Sequence, residues 1–387
     1  MEKVPETPPV IEQAKPGLLL DAFAGMGAVA EATAPTRQVW TNDVQHFAHL
    51  VTKAMFTAEL GPPTAAEFVA LAEQHYEETE SAYSAPLEDA LALEARALRS
   101  TEFNRYVELI GAARAVYADR LVKAAIPLPF SSTYAWTYFG LRQCIELDCA
   151  RQSIDELLAQ EAIDGDAWLW ALLALGKAAL RVANTPGHFA QYLRPHSRTF
   201  ARAKRQRRRS VWTEWLIALS EVTSLGTLDW RRGNRATRAD SLDLFASHDR
   251  ADLTPSVVYC DPPYTDDQYS RFYHVLETLV LFDCPVVSGA GQYRNDRFQT
   301  PFSIKGQVDS AFNRLIASIS AIGADLILSY PSNGLLYEAG FDPVDLLKRS
   351  YKTVQLVTSV PHTHSTFGAS KGVSKARVEE QIFWAQP

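Results

Sequence analysis

Gly17-Leu18-Leu19-Leu20-Asp21-Ala22-Phe23-Ala24-Gly25-Met26-Gly27 decides the fold. An apolar run from Leu18 closes on Asp21, and a turn of small residues, Ala22 to Gly27, then leads into an alanine-rich helix start. That order is a buried strand, a tight turn and a helix. Working outward, Gln38 to Thr41 reads as a second strand ending at Asn42-Asp43, so the two together open a doubly wound sheet with a βαβ unit. From about Pro62 to Leu225 the texture changes to alanine, leucine and glutamate at helical spacing, as in Glu88–Arg99, Thr101–Val122 and Ile154–Val182. Strand-like segments return at Val257–Cys260, Asp325–Ser329, Tyr351–Val360 and Gln381–Ala385. The expected fold is therefore α/β, with a doubly wound sheet built from residues 1–62 plus 226–387 around a mostly α-helical insertion, 63–225.

Composition narrows the class. A 387-residue chain that is 47% hydrophobic and 21% charged has the material for a substantial core and does not read as disordered or fibrous. Met1 to Gly17 has no apolar signal region, and the longest apolar run, Ala167 to Gly176, is too short to span a bilayer, so a cytoplasmic protein is expected. Cys144, Cys149, Cys260 and Cys284 show neither C-x-x-C pairing nor partnered histidines, which argues against both a zinc site and a disulfide framework. His362 and His364 suggest metal ligands only superficially, since no further ligand cluster accompanies them.

The net charge of −7 hides an uneven distribution. Arg194, Arg198, Arg202, Lys204, Arg205, Arg207, Arg208 and Arg209 follow one another without an acidic residue, and Arg231, Arg232, Arg235 and Arg238 come soon after. Such a block is able to neutralise several phosphates. Its bland alternative is a solvated basic helix face.

Two constellations carry chemistry. The first is the glycine turn, where missing side chains let a ligand approach backbone N–H groups at a helix start. Gly25-Met26-Gly27 lacks the third glycine of the dinucleotide fingerprint and the lysine of a P-loop. Asp43, at the end of the second strand, is placed to accept hydrogen bonds from ribose hydroxyls, so the pair suggests an adenosine-bearing cofactor without a pyrophosphate requirement. A helix N-cap is the alternative role for Asp43.

The second constellation is Asp261-Pro262-Pro263-Tyr264, delivered by the apolar strand Ser256–Cys260 at the end where ligands sit in open α/β sheets. Two prolines stiffen the turn, so the Asp261 carboxylate and the Pro262 carbonyl are both able to accept from one planar NH2 group. Tyr264 adds an aromatic face for an extruded base. A simple turn is the alternative.

Phe23-Ala24-Gly25-Met26-Gly27 and Asp261-Pro262-Pro263-Tyr264 resemble the F-x-G-x-G cofactor motif and the D-P-P-Y catalytic motif of the DNA adenine-N6 methyltransferases. Their order, with a long region between them, is similar to the α-group, which includes the Dam-like, D12-class enzymes. The resemblance implies a Rossmann-like class I methyltransferase sheet, S-adenosyl-L-methionine as cofactor, duplex DNA as partner and target recognition in the helical insertion. It implies no metal, and it leaves room for a cognate restriction or defence nuclease. The catalytic set it points to is Asp261, Pro262, Pro263 and Tyr264; the cofactor set is Asp21, Phe23, Ala24, Gly25, Gly27 and Asp43. Ala239-Asp240-Ser241 resembles the third cofactor motif, which gives Asp240 the adenine of the cofactor. Arg198, Arg202, Lys204, Arg205, Arg207, Arg208 and Arg209 are the candidate DNA contacts.

Further segments extend the resemblance without firm chemistry: Tyr269 to His274, Leu328 to Asn333, and His364-Ser365. One departure stands out, because Ile11 to Gly17 does not match the glycine- and lysine-containing motif with which Dam-like enzymes open. Tyr138 and Phe139 resemble a segment of an atypical branch that closes the cofactor pocket instead; an aromatic core stripe is the alternative. The implied reaction is direct transfer of methyl to N6 of a flipped-out adenine. An RNA guanine-N2 or adenine-N6 methyltransferase is the second choice. Asp261 counts against cytosine-N4 and protein-glutamine enzymes, and a non-catalytic DNA-binding module would not require both motifs intact.

Overall fold

The computed structural model describes residues 7–121, 128–245, 254–363 and 377–387. His364-Ser365 lie outside the described residues. By its internal contacts the chain forms two compact units. One contains residues 1–59, 224–270 and 298–387; the other contains 60–223 and 271–297. The stretch Arg271–Arg297, read from sequence as part of the sheet region, thus packs with the helices.

The first unit is built on a seven-stranded sheet: β1 (Leu19–Asp21), β2 (Val39–Asp43), β3 (Arg235–Arg238), β4 (Val257–Cys260), β5 (Asp325–Pro331), β6 (Thr353–Thr363) and β7 (Arg377–Gln386). Their order across the sheet is β3-β2-β1-β4-β5-β7-β6. The first five run parallel, and β7 is inserted antiparallel between β5 and β6. β1 and β4 are buried at every residue, the pattern of strands covered on both faces. Alternation along them divides the core. Leu20, Val258, Leu326 and Phe383 pack under the helix Val308–Ala321, while Leu19, Val257, Ile327 and Ile382 share the other face with Ile11 and Ala30. Ile11 to Gly17 is the support of that second face: the Arg37 guanidinium gathers the carbonyls of Ile11, Lys15 and Gly17.

Long helices make the second unit, including Ala65–Ser84, Glu88–Arg99, Phe103–Leu121, Leu141–Ala159 and Gly165–Val182. Thr64 and Glu67 close a capping box at the start of the first of these. The helical spacing read through Ile154–Val182 is broken at 160–164. Glu161 takes φ 57°, and Asp164 then caps the next helix by accepting from Ala167 N at 2.8 Å.

Candidate active site

The order of the sheet creates a switch point. From β1 the chain moves to β2 and β3 on one side, and it returns to β4 on the other. Open α/β sheets bind ligands beyond the C-terminal ends of the strands at such a point, here β1 and β4. Both motifs meet there.

After β1, Ala22 N donates to Tyr259 O at 3.0 Å and Ala24 N donates to Asn42 O at 2.9 Å, which fastens the turn to both neighbouring strands. Gly25 and Gly27 adopt φ 51° and 78°. These are left-handed values that glycine takes without strain. A Cβ on Gly27 would lie 2.6 Å from the Phe56 ring, so its missing side chain is required for packing as well. Phe23 sits edge-on to Phe302, centroids 5.4 Å apart, and anchors the turn from the other face.

Acids end three successive strands. Asp43 accepts from Gly25 N at 2.9 Å and from Gln45 N at 2.8 Å, tying the glycine turn to β2 and starting the following helix. Asp43 is thus a brace of the turn; the N-cap of the following helix is Gln45, so the N-cap alternative does not hold, and lone pairs remain on each Asp43 oxygen. Asp240, just past β3, accepts from Leu242 N at 3.0 Å through one oxygen. Asp21 is buried with an oxygen that has no hydrogen-bond partner. Burial pushes its carboxyl up to about 7; a backbone hydrogen bond from Phe23 opposes this, and the neighbouring Asp43 adds to it.

Asp261 follows β4 on the face of Tyr259 and Asp21. Its carboxyl is held well above the ordinary range by burial, then by the charges of Glu380 and Asp21. Among the described residues none donates a hydrogen bond to the Asp261 carboxylate or to the Pro262 carbonyl. Two adjacent acceptors are thus left open at the strand end. Leu335 N donates to Tyr264 O at 2.8 Å and fixes the turn to the loop after β5. That loop is in turn shaped by Tyr330, whose hydroxyl accepts from Leu336 N at 3.0 Å.

Two members of the cluster were not singled out from sequence. Tyr269 couples electrostatically to both Asp261 and Asp43, and burial lifts its phenol to about 12. Glu380, on β7, is buried and accepts from Ser329 Oγ at 2.7 Å. Tyr269 lies in a quoted segment; for Glu380 the only signal is an acid in an otherwise strand-like stretch.

Other candidates stand elsewhere. Tyr138 and Phe139 belong to the helical unit and are fully buried in a ring cluster with Phe130, Tyr134, Phe189 and His274. The Tyr138 hydroxyl lies 2.7 Å from the Phe189 carbonyl and 2.8 Å from that of Gly291. Both side chains fill the core of the helical unit, in line with the aromatic-core alternative. His274 is buried in the same cluster, 2.9 Å from the Phe189 carbonyl, and burial depresses it to about 4.

The basic block divides. Arg207 is 2% exposed, and its guanidinium donates to Tyr106 Oη at 2.5 Å and to Trp136 O at 2.9 Å, so it is a structural residue and not a phosphate contact. Lys204 and Arg208 donate to the carbonyls of Ser100 and Leu98 at the end of the helix Glu88–Arg99. There they oppose the negative end of the helix dipole. Arg202 donates to Thr185 O at 3.0 Å, and Arg209 pairs with Glu214 at 2.7 Å. Arg198 and Arg205 are exposed, and their side chains make no hydrogen bond or ion pair among the described residues. Also among the described residues, no group of three or more His, Cys, Asp or Glu is arranged to hold a metal ion, and no helix is long and apolar enough to cross a membrane.

The sheet order and the two motifs at its switch point define a Rossmann-like methyltransferase fold. More particularly, residues 237–324 match the family model for the D12 class N6 adenine-specific DNA methyltransferases. Similar proteins include the modification methylase StsI of Streptococcus sanguinis, 22% identical over 95% of this chain and 48% of that protein. The type II methyltransferase FokI of Planomicrobium okeanokoites is 22% identical over 64% of this chain and 35% of its own length. The type II methyltransferase NlaIII of Neisseria lactamica is 26% identical over 51% of this chain and 52% of its own length. The chain thus spans about half or less of the length of these relatives.

Proposed function

We propose that the protein transfers a methyl group from S-adenosylmethionine to the exocyclic N6 of adenine in duplex DNA. The observation that carries this is the open acceptor pair, Asp261 carboxylate and Pro262 carbonyl, at the end of β4 beside the glycine turn. An amine whose two hydrogens are so held loses conjugation with its ring as its lone pair turns toward the methyl donor, and stabilisation peaks in the transition state.

The residues present fit the cofactor. Gly25 leaves the turn half-exposed above the buried Gly27, Asp43 keeps lone pairs for ribose hydroxyls, Asp240 keeps one oxygen for the adenine amine, and the unpartnered Asp21 oxygen provides negative charge in a site that must take up a cation. When bound, S-adenosylmethionine supplies a methyl group activated by cationic sulfur. Tyr264 stacks the extruded base. Positioning supplies most of the rate.

Arg198, Arg202, Lys204, Arg205 and Arg208 are assigned to DNA phosphates in this reading, with Arg209 partly neutralised by Glu214. The type II methyltransferase names of the relatives fit a role in protecting DNA from a partner nuclease, and we place that role in the cytoplasm. The comparisons give no support to an RNA substrate. The test is incubation with methyl-labelled S-adenosylmethionine and either duplex DNA or structured RNA, followed by digestion. N6-methyladenosine from RNA alone would reverse the substrate assignment.

A further inference from the structure

Glu380 is the carboxylate in the site that no motif announces. It stands opposite Pro331 in the β5–β7 register, two residues from Ile382, which packs in the same core cluster as Tyr259 and Ile327. Strand alternation therefore puts Glu380 on the Tyr259 face, at the end of the sheet that holds Asp261. Ser329 links the two. It follows Leu328, which lies opposite Cys260, so it stands beside Asp261, and its hydroxyl donates to Glu380 Oε1 at 2.7 Å. Tyr259 hydrogen-bonds Ser329 in turn. Ser329 is 1% and Glu380 6% exposed.

Among the described residues, the groups facing Asp261 are Asp21 from β1, Tyr259 from β4, Tyr264 and Tyr269 from the segment after it, and Ser329 and Glu380 from β5 and β7. The charges that act on Asp261 among them are both negative. A buried acid held by a serine at the edge of an already crowded negative site costs stability, and such an arrangement is found where chemistry uses it.

We infer that Glu380 is a positioning residue that makes Asp261 the acceptor of the proton that adenine N6 must lose. The inference rests on the methyl-transfer reading. As the N6 lone pair forms the bond to the methyl carbon, the carbon–sulfur bond breaks and its electron pair stays on sulfur. N6 is then cationic, and one of its protons passes to the Asp261 carboxylate, which becomes a neutral acid and later releases the proton to water. Glu380 keeps a second negative charge close by, fixed through Ser329, so Asp261 is a stronger base than an isolated carboxylate.

The experiment compares wild type, Glu380→Gln and Glu380→Asp in single-turnover methyl transfer as a function of pH. Glu380→Gln is expected to slow transfer about tenfold near neutrality and to move the acid limb about one pH unit lower. Glu380→Asp retains the charge and should keep the wild-type limb. A readout without turnover is the number of protons released when S-adenosylmethionine binds, from calorimetry in buffers of different ionisation enthalpy; it should fall in Glu380→Gln. If that variant melts and binds S-adenosylmethionine as wild type does yet keeps the wild-type acid limb, the inference is overturned. Should Glu380→Gln not fold, Ser329→Ala frees the carboxylate instead: a limb moved lower supports the inference and an unmoved one overturns it. A wild type that forms no N6-methyladenine overturns the methyl-transfer reading itself.

Discussion

Asp21 is a buried acid and Asp261 a half-buried one, and their surroundings ask different things of them. Among the described residues Asp261 has no hydrogen-bond donor, so its oxygens are available to an incoming amine. Asp261→Asn keeps the shape and replaces one acceptor oxygen with a donor. Methyl transfer should fall by about 100-fold or more, with S-adenosylmethionine affinity little changed; single-turnover rates and calorimetry check the two halves separately. Asp21 concerns proton balance. Its folded-state pKa of about 7 lies above its ordinary value of 3.8, so between those values the folded form holds a proton that the unfolded chain has released. Its contribution to stability is full below about 4 and is lost as pH rises through about 7. Asp21→Asn should therefore flatten the decline in melting temperature between pH 5.5 and 7.5 relative to wild type. A decline equal to that of wild type would remove Asp21 from this account.

At the scale of elements, the glycine turn and the basic helix invite opposite tests. Gly27→Ala forces a side chain into φ 78° and against the Phe56 ring, and should cost about 1–3 kcal/mol in chemical denaturation. Arg207→Ala would remove the partner of the Tyr106 hydroxyl and leave the Trp136 carbonyl with Arg114 alone, in the core of the helical unit, and should destabilise by about 1–3 kcal/mol. Arg198→Ala with Arg205→Ala should leave the melting temperature unchanged and weaken DNA binding. The block reads in sequence as one feature because charge is visible there and partners are not. Which arginine turns inward depends on where the carbonyls of Leu98, Ser100 and Trp136 fall in space. Tyr138 and Phe139 illustrate the same limit: an aromatic pair looks alike whether it lines a pocket or fills a core, and only burial against Phe189 and His274 decides.

Over the whole molecule, six of the seven strands were legible because they announce themselves locally; β3, Arg235–Arg238, was not, because it is a polar edge strand without an apolar run. Leu18 to Gly27 and Val257 to Tyr264 each carry strand, turn and chemistry within a few residues. Glu380 was not legible, because its place beside Asp261 depends on β7 running antiparallel next to β5, a pairing between distant segments that no local pattern states. Charge supplies the prediction at this scale. A net −7 chain that binds duplex DNA must do so through a local basic surface, so affinity should fall steeply between low and physiological salt, and the log–log slope should drop by about two when Arg198 and Arg205 are both replaced. An unchanged slope would return those residues to a solvated face.

The most direct measurement of the central claim is the identity of the nucleoside labelled when the protein, methyl-labelled S-adenosylmethionine and duplex DNA are combined and the DNA is digested. The account predicts label in N6-methyldeoxyadenosine, and none when Asp261 is replaced by alanine. Label in a cytosine or guanine derivative, or N6-methyldeoxyadenosine formed equally well without the Asp261 carboxylate, would contradict it.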